Sequence, residues 1–355
     1  MTPQFWRGRR VLLTGHTGFK GSWLALWLHR LDARVTGLAL PEMPESLFLA
    51  ARVDRMLDHR IGDIRDLSVM RSVMREVEPE IIFHLAAQSL VRVSYRDPLG
   101  TFFTNVQGTA HVLQAASECD SVNAIVVATS DKCYENRERS GGYRESDPMG
   151  GDDPYSASKG CAELLTHSWR TSFFAGGKIA SVRAGNVIGG GDSAADRLVP
   201  DLIRAFRSGT AAKIRNPASV RPWQFVLEPL VGYLMLAERL CDSRALAEGW
   251  NFGPDQTSVV SVAAIADRVA ALWGKGACWE QASEANAPKE SIMLQLDSTK
   301  ARTRLQWQPV WPLDRALEAT VAWYKSQAAD ADMAAVTLQQ IDNYQRGLDL
   351  PASAA

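Results

Sequence analysis

Short apolar runs alternate with amphipathic stretches through the first half of the chain, and this alternation restricts the fold more than any other feature. Residues 10–14, 34–40, 80–86, 123–129 and 178–184 read as strands, with a shorter candidate at 59–63. They are predominantly apolar, as parallel strands covered on both faces tend to be. Between them, residues 20–31 place Trp23, Leu24, Trp27, Leu28 and Leu31 at helical spacing, and residues 101–119 and 154–174 are longer helical patterns. Strand and helix in regular succession predict an α/β fold, a doubly wound parallel sheet.

Beyond residue 185 the pattern changes to a glycine-rich turn at 189–191, short strands, and helices near 196–208, 228–241, 260–273 and 312–324. The expected organisation is a dinucleotide-binding unit over 1–184, a smaller interleaved substrate lobe over 185–330, and a final helix and tail over 331–355. The content of 46% hydrophobic and 22% charged residues supports a buried core and argues against disorder. Thirty-nine basic residues against 40 acidic leave a net charge of -1, too little to gather a nucleic-acid backbone by bulk electrostatics. No apolar run reaches the ~18–20 residues needed to cross a bilayer, and residues 1–10 lack a signal-peptide core, so a cytoplasmic location without a membrane partner is expected. The five cysteines form no C-x-x-C pair and read as reduced thiols, and the six histidines show no metal-ligand spacing, so no metal is expected.

Three motifs carry chemistry. Residues 14–21, Thr-Gly-His-Thr-Gly-Phe-Lys-Gly, lie directly after a strand and before a helix. Gly15, Gly18 and Gly21 there would let the backbone turn, approach a pyrophosphate and pack the helix on the sheet, with the phosphates at the helix N-terminus. The plainer reading is a tight strand-to-helix turn. The acidic residue that ordinarily ends the second strand of a dinucleotide site is missing from Leu38-Ala39-Leu40-Pro41, and no arginine stands ready for a 2'-phosphate, so NAD is preferred over NADP. Asp63 is a candidate for the adenine amino group, or else a cap for the next helix.

The second motif is Tyr155-Ser156-Ala157-Ser158-Lys159. Four residues apart on a helix, the phenol and the ammonium share a face, and the cation is expected to draw the phenol down from ~10 toward use as a base. Asp153 followed by Pro154 is a good helix start and puts Tyr155 in the first turn. The third is Thr129-Ser130-Asp131-Lys132-Cys133-Tyr134, at the carboxyl end of a strand, where open α/β sheets bind ligands. Ser130 could orient a hydroxyl and Tyr155, and Asp131 could serve as an acid if burial raises its pKa. The bland alternative is a strand-to-loop transition with capping residues.

The glycine loop, the serine after the strand and the Tyr/Lys pair together resemble the extended short-chain dehydrogenase/reductase superfamily. Residues 14–24 (TGHTGFKGSWL), the SDKCY run, 149–159 (MGGDDPYSASK), 184–192 (AGNVIGGGD) and 221–229 are similar to the CDP-glucose 4,6-dehydratase family. The resemblance covers nearly the whole chain. It implies a Rossmann-like sheet, NAD as cofactor, CDP-glucose as substrate, and a homodimer, with a tetramer as the alternative. The implied reaction oxidises carbon 4, eliminates water across carbons 5 and 6, and returns the hydride to carbon 6.

By the same resemblance, Tyr155, Lys159 and Ser130 serve the oxidation and Asp131 protonates the departing 6-hydroxyl. Lys132 stands where related dTDP-glucose enzymes carry glutamate, and acts as the carbon 5 base or as an enolate stabiliser. The implied cofactor contacts are Gly15, His16, Thr17, Gly18, Phe19, Gly21, Asp63, Ile64, Leu85, Ala86, Ala87 and Asn105, with Tyr155 and Lys159. The implied substrate contacts are Gln88, Asn186, Arg197, Asn216 and Arg221, with Arg221 the strongest phosphate clamp because guanidinium forks match phosphate geometry. Two other functions stay open at this point: a dehydratase or 4-epimerase for another nucleotide sugar, and a dinucleotide-binding redox sensor without turnover.

Overall fold

A computed structural model describes residues 1–137, 141–174, 177–274, 276–282 and 294–348. The expected strands form as β1 (Arg10–Thr14), β2 (Arg34–Ala39), β3 (Asp58–Ile61), β4 (Ile81–His84), β5 (Ala124–Ala128) and β6 (Ile179–Ala184). After β7 (Asn186–Ile188), β8 (Ala212–Ile214) and β9 (Val220–Phe225), the chain returns with β10 (Gly249–Phe252) to the edge of the same sheet. The seven-stranded order is β10-β6-β5-β4-β1-β2-β3, parallel throughout. Because β1 lies between β2 and β4, the strand order reverses there, and the crevice at the carboxyl ends of β1 and β4 is where such a sheet binds ligands.

The apolar runs are explained by what covers each face. On β1, Val11 and Leu13 enter one core while Leu12 enters the other; on β4, Ile81 and Phe83 oppose Ile82; on β5, Ala124 and Val126 oppose Ile125 and Val127. Each fully buried aliphatic side chain of this kind contributes about 1.5–3 kcal/mol of transfer free energy. The first face packs on α1 (Phe19–Arg30), where Trp23 and Trp27 are fully buried. The opposite face packs on α2 (Leu67–Val77) and α3 (Thr109–Ser117).

The helical pattern over 101–119 is not one α-helix. A short helix at Pro98–Phe102 passes into a π-helical stretch at Phe103–Gly108 before α3 begins. The cause is Asn105, whose amide donates to the Gln88 carbonyl and to Ser158 Oγ, both at 2.9 Å, and accepts from Gln88 N–H at 2.9 Å. Widening the turn aims that side chain inward, as π-bulges at functional sites do. Next comes α4 (Pro154–Ser172), which starts as its sequence predicts: Pro154 is in the first turn and Asp153 accepts from Ser156 N–H at 2.9 Å.

The second half adds α5 (Leu198–Arg207), α6 (Leu227–Asp242), α7 (Val262–Trp273), α8 (Leu313–Ala328) and α9 (Met333–Leu348), with β11 (Val259–Ser261) joining β9 and β7 in a small sheet and β12 (Trp279–Gln281) pairing with β8. The tail at 349–355 lies outside the described residues.

Candidate active site

A cavity of about 600 Å³ runs from the glycine loop after β1, across the ends of β4 and β5, to β8 and β9. At its β1 end the glycines are dictated by space. Gly15 has φ +78, and a Cβ there would lie 2.6 Å from Ala86 N; a Cβ on Gly21 would meet Gly15 O at 2.1 Å. Gly18 occupies the N-cap of α1 with no side chain of its own to bond the free N–H groups of the first turn. Gly15, Thr17, Gly18, Phe19 and Gly21 all line the cavity, as do Asp63, Ile64, Leu85, Ala86 and Ala87. A concave run of backbone at a helix N-terminus fits the pyrophosphate of a dinucleotide.

Three expected contacts stand behind the wall rather than in it. His16 is buried, its Nε2 2.7 Å from His59 Nδ1, and burial followed by the neighbouring His59 holds it down to about 4. Gln88 and Asn105 spend their amides on each other's loop and on Thr101 and Ser158. They brace the loop after β4 against α4 and do not line the cavity. Asp63 lines it but is not the cap of α2: that role falls to Asp66, which accepts from Ser68 and Val69 N–H, whereas Asp63 pairs with Arg65 at 2.6 Å. The hydrogen bond from Arg65 holds the Asp63 carboxyl below its usual range.

Ser130, Asp131, Lys132, Tyr155 and Lys159 come together on the cavity wall. The first three follow β5 in a single 3-10 turn: Ser130 Oγ donates to Asp131 Oδ1 at 2.9 Å and accepts from Lys132 N–H at 3.2 Å. Burial pushes the Asp131 carboxyl above its ordinary value, against the nearby Lys132 charge. An acid that keeps its proton longer can donate it. Tyr155 departs from the sequence expectation. Burial pushes its hydroxyl up to about 12, and Ser130, followed by the Arg197 charge, pulls it back. Lys159 Nζ instead donates to the Ala128 carbonyl at 3.2 Å, and burial brings it down to about 8. Four-residue spacing makes neighbours of the two side chains, but the ammonium's acceptor here is the end of β5.

At the far end, Asn186, Arg197, Asn216 and Arg221 line the cavity, joined by Arg92, Lys213 and Arg215. Arg197 is held by Asp192 at 3.0 Å, and Arg92 and Arg215 both reach Asp196. Trp223 also lines this end, its indole donating to the Val260 carbonyl. His84 is fully hydrogen-bonded in the core, between Thr14 and Thr109.

Sequence reading missed Lys20. It lines the cavity in the first turn of α1, and burial, followed by the Arg197 charge, brings it down to about 8. The available signal was a cation at a helix N-terminus, against the dipole. It missed a network below the floor as well. Arg183 on β6 bonds Tyr134 Oη at 2.5 Å, Tyr134 donates to Asn251 on β10 at 2.7 Å, and Asn251 donates to the carbonyls of Tyr143 and Asp297. The loop after β5 is thereby joined to the last sheet strand and to the segment at 295–297.

A family model described as GDP-mannose 4,6 dehydratase matches residues 12–320. A CDP-glucose 4,6-dehydratase of Salmonella typhimurium is 49% identical over 350 residues, 96% of this chain and 97% of that protein. Among solved structures, the dTDP-glucose 4,6-dehydratase of Streptomyces venezuelae with NAD and TYD bound superposes with a TM-score of 0.78 at 23% identity, covering 92% of this chain and 99% of its own. A UDP-glucose 4-epimerase of Thermotoga maritima has a TM-score of 0.76 at 21% identity, over 90% of this chain and 99% of that one.

Proposed function

The chain belongs to the GDP-mannose 4,6 dehydratase family, and on that premise we propose that it converts CDP-glucose to CDP-4-keto-6-deoxyglucose with NAD as a cofactor that ends unchanged. The observation that carries the reading is the acid and the amine side by side at the end of β5, in one cavity with Tyr155 and Lys159. A 4-epimerase needs the tyrosine and the lysine but neither an eliminating acid nor a carbon 5 base, and a redox sensor needs none of the four. The cytidine nucleotide rests on similarity to the Salmonella protein.

The glycine cradle and Lys159 would hold NAD, which when bound supplies a hydride acceptor at carbon 4 and a donor at carbon 6. Tyr155, beside Ser130, takes the proton of the 4-hydroxyl as a phenolate, a form that the charges of Lys159 and a bound nicotinamide would favour. The resulting ketone makes the carbon 5 proton acidic, which brings the elimination within reach. Lys132, as the neutral amine, takes that proton and gives it back to carbon 5 once the double bond is reduced, and Asp131, whose hold on its proton burial strengthens, gives its own to the departing 6-hydroxyl. Arg221 and Arg197 hold the diphosphate, with Asn186 and Asn216 beside them. Turnover compared across CDP-, dTDP-, UDP- and GDP-glucose checks this. CDP-glucose should lead in kcat/KM by at least ~10-fold, a margin that a site built to bond one base supplies readily; equal turnover of all four would overturn the nucleotide assignment.

The same reading makes the protein a dimer. Leu99 and Phe103, exposed at 68% and 51%, and Leu164 on α4, exposed at 61%, belong to the helices packed together at Pro98–Gly108 and α4. Side chains of that size cost least when a second copy covers them. Sedimentation should give a dimer, and Leu99→Glu combined with Leu164→Glu should shift it to monomer; an unshifted dimer would place the interface elsewhere. All five cysteines are free thiols and no helix among the described residues is long and apolar enough to cross a membrane, which suits the cytoplasm.

A further inference from the structure

Tyr155, Lys159 and Glu163 follow one another at single-turn intervals along α4, so all three lie on one face. Glu163 is only 5% exposed, does not line the cavity, and is saturated with donors. Thr129 Oγ1 donates to it at 2.5 Å, Ser181 Oγ at 2.7 Å, and Arg183 through Nε and Nη2 at 2.8 Å each. Thr129 immediately precedes Ser130, Asp131 and Lys132. We propose that Glu163 is the positioning residue of the catalytic constellation, its one carboxylate anchoring the start of the Ser130–Lys132 turn through Thr129 and keeping Lys159, one helical turn away, in its charged form.

Electrostatics support this geometry. Burial opposes ionisation of Glu163, but the Arg183 charge and the bonds from Arg183, Ser181 and Thr129 outweigh it and hold the carboxyl at about 2. For Lys159, burial is the largest influence and lowers it to about 8, while Glu163 pushes back up. The other titratable groups facing Lys159 are His84 on β4, Cys133 after β5 and Lys20 on α1. Burial, followed by the Lys159 charge, keeps His84 neutral at about 3, and burial keeps Cys133 a thiol. Lys20 titrates in the same range as Lys159 and is itself influenced by Arg197, Asp131 and Lys159. Around Glu163, the remaining charges are Arg183 on β6 and Arg170 on the same helix as Glu163.

The inference uses the dehydratase reading only for its turnover measurement, and NAD affinity tests it without any sugar. In Glu163→Gln, the pH above which NAD affinity falls should move down by about one unit, a tenfold shift in proton affinity. The alkaline limb of kcat with CDP-glucose should move with it, while KM for the sugar changes less than twofold. Glu163→Asp should restore part of the shift. Thr129→Val, which keeps the carboxylate, should lower kcat several-fold and leave both limbs where they are. If Glu163→Gln does not fold, the charge-free pair Glu163→Gln/Arg183→Gln is read in the same way. An unshifted limb in whichever variant folds, or loss of folding in both, overturns the proposal. Failure of the unaltered protein to turn over CDP-glucose, with the NAD limb shifted in the variant, would overturn the dehydratase reading and leave this one standing.

Discussion

Tyr155→Phe should lower turnover of CDP-glucose by on the order of 10³-fold, the scale of a lost general base, and leave the circular dichroism spectrum and the melting temperature nearly unchanged. The side chain is 7% exposed at the start of α4, so phenylalanine keeps the packing and loses only the hydroxyl. Neither Ser130 nor Lys159 replaces it. Ser130 already donates to Asp131, and Lys159 already donates to the Ala128 carbonyl. KM for the sugar should move little, because one hydroxyl among many contacts contributes little to ground-state binding. Undiminished product formation would remove the tyrosine from the reaction.

The second large effect separates two neighbours. In heavy water, Lys132→Gln should stop both deuterium incorporation at carbon 5 and the loss of water, because the proton at that carbon then has no acceptor. Asp131→Asn should stop the loss of water while exchange at carbon 5 continues, since the base is intact and only the departing hydroxyl lacks its proton. Each substitution should cost ~10²–10³ in overall turnover, read by mass spectrometry of the sugar nucleotide. Exchange persisting in Lys132→Gln would reduce that residue to stabilising the enolate. The pH dependence carries the same sign: Asp131 works while protonated, and burial raises its pKa, so water loss relative to exchange at carbon 5 should fall as pH rises past that raised value.

Much of this was legible in the chain. Strands buried on both faces favour near-continuous apolar runs, so β1, β4, β5 and β6 stand out before any contact is known, and the glycine spacing after β1 follows from a cradle with no room for Cβ atoms. What escaped was decided by partners distant in sequence. The π-helical stretch depends on Asn105 finding Gln88 and Ser158, and helical periodicity is blind to that. Whether Asp63 or Asp66 caps α2 turns on a three-residue offset that local composition does not fix. The four-residue step from Tyr155 to Lys159 gives adjacency, yet the orientation of the ammonium is set by a carbonyl at the end of β5. Glu163 extends that series by a further turn, and only the fold reveals that it faces Arg183 and not water.

The chain of bonds from Arg183 through Tyr134 to Asn251, and on to the Asp297 carbonyl, has a consequence for synthesis. A ribosome that has released only the glycine cradle, Tyr155 and Lys159 has made every group of the cofactor half, but not the fasteners of the loop between β5 and α4. Those arrive with the strand at Gly249–Phe252 and the segment around Asp297. Nascent fragments that stop short of them should therefore be inert, and chemistry should switch on only after both have emerged.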